Sequence, residues 1–150
     1  QIISKYGGRV DTYGINTSLK SALGSAAERQ AAVFYSPSNG FITEGTQTNV
    51  CFIKNSELIT PPLSNLILPG ITRGIVLRLC KKLGIRYTER DIKLTELKDF
   101  DEILLLSTTA EVTPVIELDG NIINGRVPGQ ICKLLQSEYQ KLYNTENRQS

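Results

Sequence analysis

The chain has 150 residues, with 17 lysines and arginines against 15 aspartates and glutamates, so its formal net charge is only +2. Hydrophobic residues make up 40% of the chain and charged residues 21%, which is typical of one globular domain around a single core. The balanced charge argues against nucleic acid or an acidic membrane surface as a partner. No apolar run approaches the roughly 18 residues of a membrane span.

Histidine is absent from the sequence, which excludes Ser-His-Asp and Cys-His catalysis and histidine-ligated zinc. The cysteines are odd in number and far apart, at Cys51, Cys80 and Cys132. This spacing fits neither a disulfide framework nor a metal site, so we predict no metal and interpret the cysteines as small buried hydrophobes. Cysteines without a disulfide pattern indicate a reducing compartment, and we therefore expect a cytoplasmic protein.

Glycines interrupt the first third of the chain, so few regular elements are predicted there. Residues 8–13 are typical of a strand. Residues 21–32 predict a helix, because their alanines and Leu23 fall near helical spacing in a run of good helix formers. A turn is predicted at 36–40 from its Ser, Pro, Asn and Gly content.

The middle of the chain has a clearer pattern. Strands are predicted at 41–43, 49–54 and 58–60, with Asn55-Ser56 as the turn of a hairpin between the last two. After Pro69-Gly70, a helix is predicted that begins near residue 71 and closes with two lysines and a glycine at 81–84. Its apolar stripe consists of Ile71, Ile75, Val76, Leu79 and Leu83.

The remaining elements alternate between strands and helices. They are a strand at 86–93, a short helix at 95–100, strands at 103–106 and 112–117, a hairpin turn at 119–120 and a helix at about 128–143. Residues 144–150 are interpreted as a frayed polar tail. Seven or eight short strands with three main helices favour an α+β fold with a mostly antiparallel, barrel-like sheet.

Three polar clusters interrupt these apolar segments. The first cluster is 43–49, between two strands, where Glu44 follows a β-rich run. Its carboxylate can be held for a cationic partner, although a solvated loop carboxylate fits the position too. The segment 69–73 leads into a helix whose first-turn amides attract an anion, although simple capping explains it as well. Residues 107–109 place hydroxyls at a strand end, as a plain turn also would. Together, the clusters suit a cofactor with a phosphate and a basic ring nitrogen.

Three segments carry a family resemblance: ITEGTQTNVCFIKN at 42–55, LILPGITRGIV at 66–76 and LLLSTTAEVTPVIELDG at 104–120. In order and spacing they resemble the C-terminal domain of the fold-type IV pyridoxal-phosphate aminotransferases. That family includes D-amino acid aminotransferases, branched-chain aminotransferases and aminodeoxychorismate lyases. The resemblance implies pyridoxal 5'-phosphate as cofactor, and it makes residues 1–150 the cofactor-binding domain without the family's N-terminal domain.

The resemblance also implies roles for individual residues. Glu44 matches the carboxylate that pairs with the protonated ring nitrogen, and Leu68 matches the aliphatic residue that packs against the ring. Ile71 and Thr72 match the helix start that holds the phosphate. Thr108 matches a second phosphate anchor, with Ser107 and Thr109 beside it. Arg73 belongs to the motif, and we assign it no contact with the ligand.

Within the family, Ser107 to Glu111 and the loop after Glu44 are more similar to D-amino acid aminotransferases than to branched-chain enzymes. This favours transamination between D-amino acids such as D-alanine and 2-oxo acids such as 2-oxoglutarate, in a homodimer. A branched-chain aminotransferase or a relative of the lyase is the alternative within the family.

The family's cofactor-linked lysine has no clear counterpart. Its position falls on Asn16 when counted from the preceding strand and on Ser18 when counted back from Gly24. Lys20 is the nearest lysine, out of register by both counts, and it is our candidate catalytic residue, with a solvated loop lysine as the alternative. A domain without catalysis, which binds the cofactor or forms a dimer, is therefore the competing hypothesis.

Overall fold

The structure is a computed structural model that describes residues 7–13, 28–35, 40–45, 49–64, 67, 69–108, 111–118 and 121–149. Within these residues the strands are β1 Gly7–Tyr13, β2 Glu28–Tyr35, β3 Ile42–Gly45, β4 Asn49–Lys54, β5 Glu57–Thr60, β6 Tyr87–Glu89, β7 Glu102–Ser107, β8 Glu111–Leu118 and β9 Asn121–Ile122. The helices are α1 Ile71–Leu83 and α2 Gln130–Gln149, with 3-10 turns at Leu94–Asp99 and Asn124–Arg126.

The described strands form one sheet in the order β3-β2-β1-β8-β7-β4-β5-β6, with β9 paired to β8. All pairs are antiparallel except β5 and β6, which are parallel because α1 crosses between them. β3 and β4, which lie apart in the sheet order, also contact each other, so the sheet curls toward closure. The predicted α+β fold with a mostly antiparallel, barrel-like sheet is confirmed.

The central strands are buried on both faces. Along β4, Val50 and Phe52 belong to one apolar cluster, whereas Cys51 and Ile53 belong to the other. The first cluster includes Phe52 and Phe100, whose ring centroids are 4.7 Å apart. The second includes apolar residues of α1 and α2, which therefore cover this face of the sheet. Burial on both faces explains why β4 and β7 are continuous apolar runs without alternation.

Local sequence signals place the turns around β4, β5 and α1. Asn55 and Ser56 both have positive φ, 50° and 62°, as the tight β4–β5 hairpin requires. α1 begins after Gly70 and ends at Gly84, which adopts the left-handed conformation at φ 74°. Both the hairpin and this helix are confirmed. One residue of the predicted apolar stripe departs from it, because Ile71 is 71% exposed.

The helix predicted at 21–32 is wrong over its second half. Residues 28–35 form β2, which pairs with β1 through seven residue pairs from Gly7↔Phe34 to Tyr13↔Glu28 and with β3 on its other side. Long-range pairing on both edges outweighs the helix propensity of the alanines here. Residues 21–27 lie outside the described part of the chain.

Two further boundaries differ from the predictions. The strand predicted at 86–93 is reduced to Tyr87–Glu89, since it pairs only with the short β5. α2 starts at Gln130 and continues to Gln149, so the predicted end at 143 is wrong, as is the frayed tail over 144–149. Residues 144–149 contain neither glycine nor proline, so nothing local ends the helix at 143. Among the described residues, no helix combines the length and apolar character needed to cross a membrane.

Candidate functional site: an anion cradle at the end of the sheet

Two predicted binding segments, the start of α1 and the end of β7, meet at one end of the sheet through Asn49. The backbone of Asn49, the first residue of β4, pairs with Leu106, which immediately precedes Ser107 at the end of β7. The Asn49 side chain lies against Gly70, because a Cβ placed on Gly70 would overlap the Asn49 amide oxygen Oδ1. The end of β7 and the start of α1 are therefore neighbours, although they are more than thirty residues apart in sequence.

The start of α1 has the features of an anion site. Gly70 is the N-terminal cap, with extended backbone angles and no side chain to bond the first-turn amides. Thr72 is 2% exposed, and its hydroxyl Oγ1 lies 3.4 Å from the hydroxyl of Tyr139 on α2. In a helix of 13 residues, the first-turn N–H groups and the helix dipole favour a bound negative charge.

The end of β7 is the second segment for which the sequence predicts anion binding, and with the start of α1 it forms what we call the candidate cradle. Ser107 is half-buried and pairs with Glu111 of β8, and Thr108 is exposed in the turn that follows. Glu111 adopts a left-handed φ of 56°, an uncommon conformation for a residue other than glycine. Burial raises the pKa of Glu111 above its ordinary value.

Arg73 makes structural contacts within the chain. Its side chain is buried, and one terminal nitrogen donates 3.0 Å hydrogen bonds to the Pro61 carbonyl and to the Glu89 carboxylate. These bonds tie α1 to the chain after β5 and to β6. Arg73 thus holds the orientation of the helix, while the residue before it faces Tyr139.

The remaining predicted site residues are only partly described. Glu44 lies in β3, next to β4 in space, and the structure describes its backbone alone. Lys20, Leu68 and Thr109 lie outside the described residues. Asn49 is the last residue of the polar cluster 43–49, and the sequence analysis assigned it no role of its own. The signal for a role was its place at the end of the Glu44 loop, immediately before a buried strand.

The three cysteines are buried and unpaired, as predicted. Burial raises the pKa of the Cys51 thiol to about 12 and that of Cys80 to about 11. Burial also raises the pKa of Cys132. Thiols held protonated in this way are poor nucleophiles and poor metal ligands. Within the described ranges, no group of three or more Cys, Asp or Glu side chains is arranged to hold a metal ion.

Comparison with known proteins places this geometry in context. The family described as Amino-transferase class IV matches residues 19–118. D-alanine aminotransferase from Bacillus licheniformis is 43% identical over 102 residues, which are 68% of this chain and 36% of that protein. Branched-chain-amino-acid aminotransferase from Salmonella typhimurium is 36% identical over 108 residues, which are 72% of this chain and 35% of that protein.

Among solved structures, the branched-chain amino acid aminotransferase from Thermobaculum terrenum, in its PLP-form (holo-form), is 33% identical. The two superpose with a TM-score of 0.71 over 84% of this chain and 40% of the other. The chain spans less than half of the length of the curated relatives that it matches. The match to the family covers 100 of the 150 residues and includes most of the described strands and α1, so this chain belongs to the class IV aminotransferase family.

Proposed function

We propose that residues 1–150 are the cofactor-binding C-terminal domain of a pyridoxal-phosphate-dependent aminotransferase. The observation that carries the proposal is the junction at Asn49, where the start of α1 and the end of β7 meet. Class IV aminotransferases use pyridoxal phosphate. A helix start beside a hydroxyl-bearing turn is chemically suited to the phosphate of that cofactor.

The described residues fit the phosphate in their hydrogen-bonding chemistry. The first-turn amides of α1, at Ile71 and Thr72, would donate hydrogen bonds to phosphate oxygens, and the exposed Thr108 hydroxyl would donate another. The buried Thr72 hydroxyl is close enough to Tyr139 to be oriented by it. When bound, pyridoxal phosphate supplies the electron sink that allows an amino group to move between an amino acid and a 2-oxo acid.

Three residues outside the phosphate cradle have proposed roles that come from the family resemblance. Glu44 would accept a hydrogen bond from the ring nitrogen and keep that nitrogen protonated. Leu68 would pack against the ring. Lys20 would hold the cofactor, and its side-chain amine would accept the proton from the substrate Cα. In the proposed cradle, Ser107 and Thr109 flank the Thr108 anchor.

For the substrate, we favour D-amino acids such as D-alanine, with 2-oxoglutarate as acceptor, in a cytoplasmic homodimer. The Ser-Thr-Thr-Ala-Glu segment at 107–111 supports this choice. Branched-chain amino acids are the second candidate. They are favoured by the similarity to the Salmonella typhimurium and Thermobaculum terrenum enzymes.

The first experiment asks whether the chain binds the cofactor and through which lysine. The protein is mixed with pyridoxal phosphate, its absorbance spectrum is recorded before and after borohydride reduction, and its peptides are mapped by mass spectrometry. We expect a reducible absorbance band and the added cofactor mass on Lys20. The variant Lys20→Ala should lose both, whereas Lys98→Ala, which removes an exposed lysine, should keep both.

Failure would separate the parts of the proposal. Phosphate-dependent binding without an adduct on any lysine would leave a binding domain and reject Lys20. No binding at all would reject the cofactor site. Rates with D-alanine and with L-leucine, both measured with 2-oxoglutarate, then decide the substrate class. A higher kcat/KM for L-leucine would replace the D-amino acid assignment with the branched-chain one.

A further inference from the structure

Gly70 is a glycine for reasons of space and not of backbone conformation. Its angles, φ −64° and ψ 143°, lie in the extended region that any residue adopts. A Cβ at this position would overlap the Asn49 side chain at Oδ1. The close approach of Asn49 to the helix start is therefore what Gly70 permits.

Asn49 is tied to both halves of the cradle by different parts of the residue. Its backbone is in register with Leu106, so it fixes the position of the turn that begins at Ser107. Its side chain is packed against Gly70, one residue before α1. Asn49 is only 6% exposed, so its side chain has little room to move aside when a Cβ is added at Gly70.

From this arrangement we infer that Asn49 is a positioning residue that sets the distance between the α1 start and the β7 turn. Two anchors on separate elements hold one phosphate well only when their separation is fixed, because an error of about 1 Å removes one set of hydrogen bonds. The Asn49 amide acts as the spacer, and Gly70 is the matching surface without a side chain. This inference rests on the proposed phosphate site and adds to it the residue that holds the site in shape.

The test compares the full chain with the variants Asn49→Ala, Gly70→Ala and the double variant Asn49→Ala/Gly70→Ala. Calorimetric Kd values are measured for pyridoxine 5'-phosphate and for pyridoxine. Neither ligand can form a link to a lysine, so the result does not depend on Lys20. The ratio of the two Kd values reports the phosphate site alone, and unfolding temperatures of the free proteins report the fold.

We expect each single variant to lose about tenfold of the preference for the phosphorylated ligand, with pyridoxine binding changed by less than about twofold. The double variant should bind no worse than Asn49→Ala, because the added Cβ then has room. It also keeps the test valid if Gly70→Ala alone folds poorly. Gly74→Ala is the matched control, since a Cβ there meets Arg78 at an ordinary 3.9 Å, and its preference should be unchanged.

The possible failures point to different conclusions. If the unaltered chain shows no preference for the phosphorylated ligand, the proposed phosphate site itself is rejected. If the preference exists but survives in both single variants, Asn49 is not a positioning residue and the site stands. An equal loss for both ligands would indicate a general structural role and would also overturn the inference. Additive losses in the double variant would reject the steric pairing of Asn49 with Gly70.

Discussion

Neighbouring residues at the start of α1 have different contacts. Some are placed to bind the phosphate in the proposed site, and Arg73 fixes the orientation of the helix. Thr72 is buried beside Tyr139, whereas the next residue, Arg73, reaches the Pro61 carbonyl and the Glu89 carboxylate. A single guanidinium nitrogen donates both hydrogen bonds from a side chain that is almost fully buried. The helix orientation therefore depends on Arg73, while in the proposed site the phosphate would be bound by the residues before it.

The change Arg73→Lys should lower the free energy of unfolding by about 2 kcal/mol, since an ammonium on a differently shaped stem cannot replace both bonds without leaving a buried group unsatisfied. Urea unfolding measures the loss. Glu89→Gln is the control and should cost less than about 1 kcal/mol, because the Glu89 side chain is 43% exposed and its charge is screened by water. A similar loss in both variants would show that the ion pair, and not burial of the arginine, controls stability.

At the scale of elements, α2 is held to the sheet by a carboxylate from β7. Glu102 accepts hydrogen bonds from the backbone N–H groups of Ile131 and Cys132, at 3.2 and 3.0 Å. A Cβ on Gly129 would overlap the Glu102 side chain, so this glycine gives the carboxylate its access to the helix start. A negative charge here also complements the helix dipole.

Removing this cap should destabilise the whole domain. Glu102→Ala leaves two N–H groups of the first turn without their acceptor, and we expect a loss of about 2–3 kcal/mol in the free energy of unfolding. Glu102→Gln keeps the shape and one acceptor, so its loss should be smaller. Urea denaturation at fixed pH compares the two variants. A negligible effect of Glu102→Ala would mean that water satisfies these groups.

The same carboxyl group predicts a pH dependence. Burial raises the pKa of Glu102, and the two N–H donors only partly oppose that shift. The folded state therefore binds the proton more tightly than the unfolded state, where the pKa is about 4.3. As the pH rises above that value, the stability of the native protein should fall relative to Glu102→Gln, which cannot titrate. Unfolding of both proteins from pH 4 to 8 checks the sign, and a relative gain with pH would contradict it.

The elements that could be predicted from the sequence are those whose ends are marked by nearby turn or capping residues. The β4–β5 hairpin and α1 were predicted correctly because Asn55, Ser56 and Gly84 mark their ends within the sequence itself. Residues 28–32 of β2 were wrongly predicted as the end of a helix, because the pairing partners of this strand, β1 and β3, carry the information that decides its conformation. The parallel β5–β6 pair was missed for the same reason, since it depends on how α1 packs.

For the whole molecule, the candidate site is assembled from segments that are distant in sequence. The motifs predicted that 69–73 and 107–109 each suit an anion, but the sequence alone could not place them together. The structure joins them through Asn49, a residue with no charge and no catalytic chemistry of its own. Motif analysis does not identify a residue of this kind, because its role is steric and depends on packing against a distant partner such as Gly70.

Because the cradle connects α1 to the central strands, ligand binding should stabilise the entire domain. At a concentration about 100 times its Kd, pyridoxal phosphate should add about 2.7 kcal/mol to the free energy of unfolding and raise the Tm by roughly 5–10 °C. Pyridoxal, which lacks the phosphate, should give a much smaller shift at the same concentration. Thr72→Val removes the hydroxyl at the start of α1 and should reduce the Tm shift caused by pyridoxal phosphate. Thr88→Val removes an exposed hydroxyl on β6 and should leave that shift unchanged. Equal shifts from the two ligands would place the stabilising contacts away from α1, because only the phosphate distinguishes the ligands.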